Sequence, residues 1–256
     1  MKSQAFDYAR PKDVPEALKL LEQGGKAAAG TQSLGPMLNL RVMQPALLVD
    51  LRFIPELKNS SENSESVTLG ACVTHSQIED GRAPDPTGGF LREVASNIAY
   101  RAVRNRGTIG GSLAHADPAA DWPSALTLLG AVAIIAGPGG RREMPMEKFF
   151  TGLFETVLTP REILTAIRIP RRSKAARFGY WKFCRKAGEF PQAIGGALTD
   201  PERKETRAVI GATGGAPKLF LDLNPAAADF AALSKDAYSR QLHTVALRRA
   251  VAKVLS

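Results

Sequence analysis

Apolar positions along this chain fall in short runs whose spacing alternates between helical and strand-like. Leu18, Leu20 and Leu21 make the apolar side of a first predicted helix. Asp13 caps it, Pro15 sits in its first turn, Glu16 falls three residues after the cap, and Gly24-Gly25 ends it. Residues 26–29 are short and apolar enough for a buried strand, 34–42 read as a helix and 46–50 as another strand. Strand, glycine turn, helix, strand is a small βαβ pattern. The polar, turn-forming stretch 59–66 marks a boundary. Beyond it the pattern predicts a strand at 67–71, a capped helix at 74–79, a Pro/Gly loop at 83–89, and a helix at 90–99 with Leu91, Val94 and Ile98 on one face. A helix continues through 125–129, and a buried strand at 131–136 closes on Gly137-Pro138-Gly139-Gly140. A short aromatic segment, 147–154, precedes a strand at 163–169, and Pro170 with the basic run behind it marks a second boundary. The remainder predicts strands near 179–184, 193–198 and 207–212. A long amphipathic helix, 235–255, follows with Tyr238, Leu242 and Val245 on one stripe. No internal repeat of a solenoid or propeller type is present.

With 256 residues the chain can bury a sizeable core and splits into two or three subdomains. Its 44% apolar and 23% charged residues are ordinary for a globular protein, which argues against disorder. No apolar run approaches the roughly 18–20 residues that span a bilayer, and the N-terminus has no apolar segment of signal-peptide type. A cytoplasmic protein is expected. The net charge of +9 invites a third class of reading, a nucleic-acid-binding module. The positive residues concentrate at 92–106 and 171–186, without aromatic interleaving or a recognition-helix pattern. A solvated face, a docking surface for an acidic subunit and neutralisation of a nucleotide diphosphate all account for them. Cys72 and Cys184 are too few to ligate an iron–sulfur cluster or build a disulfide framework, and they read as packed thiols. His75, His115 and His243 show no zinc-type spacing, so no metal is predicted.

Two stretches carry the chemistry. Ala29-Gly30-Thr31-Gln32-Ser33-Leu34 follows a predicted strand and precedes a helix. Gly30 gives backbone access there, and Thr31, Gln32 and Ser33 give donors. Eighty residues later Thr108 and Ser112 flank Gly110-Gly111, a predicted turn with exposed amides. Asp121 then precedes an apolar run with Pro123 in its first turn, a helix-start signature. Two such turns converging would embrace a diphosphate, as in a dinucleotide lying in a crevice. Neither stretch is a Gly-x-Gly-x-x-Gly fingerprint or a Walker sequence. Thr31 stands where a nucleophile elbow needs glycine, so serine hydrolysis is not indicated despite the proximity of His115 and Asp117.

On these residues the chain resembles the FAD-binding medium subunit of molybdenum hydroxylases, the group of carbon monoxide dehydrogenase, xanthine dehydrogenase and aromatic-compound dehydrogenases. The family's first loop reads Ala-Gly-Gly-x-Ser-Leu, answered by residues 29–34. Its second reads Thr-x-Gly-Gly-Asn and then Asp-Pro-x-x-Asp-x-Pro, answered by Thr108 to Ser112 and Asp117 to Pro123. Further echoes are Gly70 to His75, Phe149 to Gly152, Leu158 to Leu164 and Tyr180 to Phe190, so the resemblance runs along nearly the whole chain. The chain departs from the pattern at Thr31 (a glycine in the family), at Ser112 (an asparagine), and in a shorter region after Pro201.

The resemblance implies an α+β, two-subdomain FAD-binding fold. A small βαβ subdomain, 1–58, would precede a larger mixed-sheet subdomain, 59–170, and a shortened C-terminal domain of antiparallel sheet and helix, 171–256. It implies FAD as cofactor. Ala29, Gly30, Thr31, Gln32, Ser33 and Leu34 would hold the pyrophosphate together with Thr108, Gly110, Gly111 and Ser112. Asp117 would belong to the second loop's continuation. Asp121 would accept from ribityl or ribose hydroxyls, cap a helix, or do both. Ile98, Ala99 and Leu164 would wall the isoalloxazine, Lys182 would place positive charge at its pyrimidine edge, and Phe190 would cover a ring face. Implied partners are a large molybdenum-cofactor subunit and a small [2Fe-2S] subunit, assembled as a dimer of heterotrimers. The acceptor would be NAD, a quinone or oxygen. The alternative is a stand-alone flavin oxidase on a related fold, which needs a base near the ring and has His75 and His115 to draw on.

Overall fold

The computed structural model describes residues 2–224, 230–231, 233–234 and 236–256. The fold is α+β, built on three main sheets and a small hairpin, with one large buried core and three smaller ones among the described residues. The first sheet uses Asp7–Ala9 (β1), Lys26–Ala28 (β2) and Leu47–Asp50 (β3) in the order β1-β3-β2, all parallel. Parallel strands need a crossover, and Val14–Glu22 (α1) and Leu34–Asn39 (α2) supply it. The Asp13 carboxylate accepts from the Glu16 amide, and Val14, Ala17 and Leu21 turn inward against the sheet. A small core of these residues with Val49, Leu57, Cys72 and Ile163 joins this lobe to the next.

The second sheet comprises Ser60–Glu62 (β4), Ser66–Gly70 (β5), Val132–Gly137 (β6) and Gly140–Pro145 (β7). After a small hairpin of Phe150–Gly152 (β8) and Glu155–Thr156 (β9), Ile163–Pro170 (β10) completes it. The order is β4-β5-β10-β6-β7 and every pair is antiparallel. Two of these strands lie where the sequence pattern indicates none. Residues 60–62, inside the predicted boundary loop, form an edge strand. Arg141 to Pro145 pair with β6 as the opposite edge. Both are rich in polar side chains, which keep the unpaired backbone of an edge strand from pairing with another chain. Five helices cover the sheet: His75–Glu79 (α3), Phe90–Ser96 (α4), Arg101–Arg104 (α5), Ile109–His115 (α6) and Asp121–Leu128 (α7). Thr74 and Gln77 close a complete capping box on α3, as their spacing predicts.

The third sheet, Arg177–Phe183 (β11), Ala193–Asp200 (β12), Glu205–Gly211 (β13) and Lys218–Phe220 (β14), is antiparallel in sequential order. One face packs on α7 within the main core. The other carries the final helix, Ala237–Leu255 (α8). The predicted start of that helix at Lys235 lies outside the described residues. Its buried side is His243, Ala246, Leu247, Ala250 and Val254, not the predicted stripe, of which Tyr238 is exposed. The reason is close packing. A Cβ on Gly195 would lie 2.4 Å from the Ala246 carbonyl carbon, so the helix turns its small residues, rather than its largest ones, to the strand. No helix among the described residues is long and apolar enough to cross a membrane.

Candidate functional site

The first glycine loop leaves the C-terminal end of β2 and enters α2. Thr31 holds φ at +57°, a left-handed conformation that a β-branched residue adopts only at a cost, so the backbone here is strained. Gln32 Nε2 donates to the Gly30 carbonyl at 2.9 Å and closes the turn. Among the described residues, the amides of Thr31, Gln32, Ser33 and Leu34 have no hydrogen-bond partner. Ser33 stands at the helix cap without using its hydroxyl. These residues are half-buried. Buried amides are nearly always paired, which makes the run a site for an acceptor.

The second loop differs from its sequence reading. Gly110-Gly111 is not a turn but the first turn of α6. Its amides are taken: Ile109 donates to the Val73 carbonyl (3.0 Å), Gly110 to Ala71 (2.9 Å), Gly111 to the Thr108 hydroxyl (3.0 Å) and Ser112 to the Thr108 carbonyl (3.0 Å). Glycine is required at 110 because a Cβ there would lie 2.4 Å from that of Ala71. Thr108 three residues before Gly111 is the cap signal that marks this helix, and two adjacent glycines mask it.

The two loops meet. A Cβ on Gly30 would lie 2.1 Å from the Arg106 carbonyl oxygen and 2.8 Å from the Gly107 Cα, and one on Gly111 would lie 3.8 Å from the Ala29 Cβ. The free donors of the first loop therefore stand beside the backbone that leads into α6, across the junction of the first and second sheets.

After α6, Ala116 adopts φ +53° and the Asp117 carboxylate accepts from the Ala119 amide, a local turn. Ala120, not Asp121, is the cap of α7. Asp121 is the first helical residue, 6% exposed. Its carboxylate receives Lys182 Nζ at 2.9 and 3.0 Å and the Tyr180 hydroxyl at 3.0 Å. Burial pushes the Asp121 carboxyl up while Lys182 pulls it back down, and burial together with the Asp121 charge raises the Tyr180 phenol. Lys182 also donates to the Asn97 carbonyl at 2.7 Å. The cation expected near the ring is thus locked in a buried pair reaching from the third sheet to α7. Tyr180 and Asn97 complete this constellation and were not among the expected site residues. Tyr180 and Lys182 alternate on one face of β11, which is the only trace of their partnership in the sequence.

Lys182 brings β11 to the segment after α4, where Ile98 is half-buried against the main core and Ala99 holds φ +42°. Leu164, on β10, belongs to the same core and is 5% exposed. Tyr100 donates its hydroxyl to the Ala187 carbonyl at 3.0 Å, tying this segment to the loop between β11 and β12. Phe190, on that loop, is 62% exposed. The histidines are otherwise engaged. His75 is buried and takes a hydrogen bond on Nδ1 from Trp122 Nε1 at 3.0 Å. Burial first, and the Arg104 charge second, push it down to about 4. His115 packs on the Phe154 ring, 5.2 Å between centroids, and burial lowers it too. Among the described residues no three His, Cys, Asp or Glu side chains gather as metal ligands.

Comparison with known proteins agrees with this geometry. Residues 4–172, which contain both loops, match the family described as the FAD binding domain in molybdopterin dehydrogenase. The 6-hydroxypseudooxynicotine dehydrogenase complex subunit alpha of Paenarthrobacter nicotinovorans is 36% identical over 222 residues, 84% of this chain and 74% of its own. The carbon monoxide dehydrogenase medium chain of Hydrogenophaga pseudoflava is 38% identical over 191 residues, 73% of this chain and 67% of its own. A solved structure of carbon monoxide dehydrogenase from that organism superposes with a TM-score of 0.88 at 29% identity, covering 100% of this chain and 99% of the other.

Proposed function

The chain belongs to the FAD-binding domain family of the molybdopterin dehydrogenases, as a medium subunit that binds FAD, and on that premise we propose that it carries electrons from a [2Fe-2S] subunit to an external acceptor. The substrate is oxidised on a large molybdenum subunit, the acceptor is NAD, a quinone or oxygen, and the cytoplasmic assembly is a dimer of heterotrimers. The chain divides at 58/59 and 170/171, with the cofactor at the junction of the three parts.

One observation carries the reading. Four consecutive unpaired amides, Thr31 to Leu34, follow Gly30, whose backbone abuts that of Arg106 and Gly107, and all four residues are half-buried. This donor set fits a diphosphate, which offers acceptors on both phosphorus centres. Ala29 to Leu34 hold it by backbone. Thr108, Gly110 and Gly111 form the wall it rests on, and the Ser112 hydroxyl adds a donor. Bound FAD supplies two-electron redox chemistry. The chain's own residues orient it and keep water out: Ile98, Ala99 and Leu164 flank the ring, and Phe190 folds over one face. Asp121 accepts from the sugar hydroxyls, and Asp117 shapes the turn that continues the second loop. Lys182 remains paired with Asp121, so together they present a dipole rather than a lone charge to the ring's polar edge.

The test is the visible spectrum of the purified chain, with and without added FAD, together with the metals that elute with it. Flavin bands, and molybdenum and iron in the native complex, are expected. A chain that retains no FAD after reconstitution refutes the assignment of the site.

A further inference from the structure

Arg104, on the short helix α5, is 11% exposed and makes four hydrogen bonds in two directions. Nε and one terminal nitrogen grip both oxygens of Glu79 at 2.8 and 2.9 Å. The other terminal nitrogen reaches the Ile98 carbonyl at 2.8 Å and the Ala99 carbonyl at 3.2 Å. Ala99 is in the left-handed region, at φ +42°, a conformation an alanine keeps only when its surroundings hold it. Glu79 is itself fixed. It ends α3, and it also receives Arg101 at 2.7 Å. The start of α3 is joined to the second loop by the bridge between Thr74 and Thr108.

We propose that Arg104 is a positioning residue for the flavin: its guanidinium fork, braced by Glu79, holds the Ile98–Ala99 backbone in the strained shape that presents these two residues to the isoalloxazine. This rests on the proposed function, in which the ring lies beside residues 98 and 99. The clamp runs from the wall of the diphosphate cradle through α3 to the wall of the ring, so both ends of the cofactor meet one rigid unit. Lysine cannot replace it. A single ammonium cannot grip a carboxylate with two parallel bonds and reach two carbonyls on the opposite side.

The experiment compares FAD-loaded full-length wild type with Arg104→Ala, Arg104→Lys, Glu79→Gln and Ile98→Ala, reading FAD affinity, visible circular dichroism of the bound flavin, and quenching of its fluorescence by iodide. The three clamp variants are expected still to bind FAD through the diphosphate cradle, with a weaker dissociation constant than wild type. Their flavin dichroism shifts and iodide quenching rises, with Arg104→Lys as affected as Arg104→Ala. Glu79→Gln decides alone if the Arg104 variants do not fold. Wild-type dichroism and quenching in the clamp variants, or full rescue by lysine, overturn the proposal. In that case a response of Ile98→Ala leaves the ring's placement standing, whereas silence there removes the placement together with the clamp.

Discussion

At residues 31–34 four amides in succession point at no partner, whereas at 109–112 every amide is spoken for by Val73, Ala71 or Thr108. Both segments are glycine-bearing, rich in small hydroxyl donors and placed before a helix, yet one is poised for a ligand and the other is closed. The difference comes from their surroundings. The first loop leaves the end of a parallel strand, and among the described residues no carbonyl or side chain accepts from its amides. The second is pinned from behind by the turn that follows β5, and its glycines exist so that α6 can lie on Ala71. A glycine pair therefore has two distinct physical uses, to expose a backbone or to bury one, and only the fate of the amides distinguishes them.

That contrast can be broken most directly at Gly30. A methyl group there must displace the Arg106 carbonyl, and overpacking against backbone costs about 3 kcal/mol. If the cost falls on the bound state, Gly30→Ala weakens FAD binding about 100-fold, as measured by fluorescence titration. Wild-type affinity would show that the loops need not touch.

Acid provides the next largest effect, on the closed side of the comparison. His75 is held near 4 in the fold against 6.5 when free. Between those values the unfolded chain binds the proton that the folded one refuses. Stability is therefore full above pH 6.5 and falls by about 3 kcal/mol as pH drops through 4. The urea midpoint of wild type should decline over this window and that of His75→Gln should decline less. Parallel curves would show that another group governs the acid limb.

Gly110→Ala sharpens the contrast from the other direction. It forces Ala71 away and should cost about 2 kcal/mol of folding stability, read from denaturant melts, while FAD binding by the folded fraction weakens far less than in Gly30→Ala. Loss of FAD without loss of stability would make the second loop a ligand site like the first. The smallest effect is expected at Thr31. Glycine at φ +57° releases the strain at some entropic cost, so Thr31→Gly should raise stability by about 1 kcal/mol without weakening FAD.

How far the chain could be read in advance follows the range of the interactions involved. Asp13 with Pro15, Thr74 with Gln77, and the apolar strands of the central sheet are local patterns, and each element stands where its pattern lies. The meeting of residues 29–34 with 106–111 is legible because both stretches carry glycine and hydroxyl donors before a helix. What could not be read depends on partners far along the chain. Asp121 looks like a helix cap until Lys182 and Tyr180, about sixty positions on, claim its oxygens. The inward side of α8 depends on Gly195 across the interface, so the larger residues of its own sequence mislead.

The contact of Gly30 with the Arg106 carbonyl also bears on how the site can be lost. The unpaired amides lie on one lobe and the Arg106–Gly107 backbone on the other, so the proposed site needs both. A slight parting of the two, well short of melting either sheet, dissolves the site while leaving every strand paired. Retention of cofactor is therefore a finer gauge of how tightly this seam is shut than any measure of secondary structure.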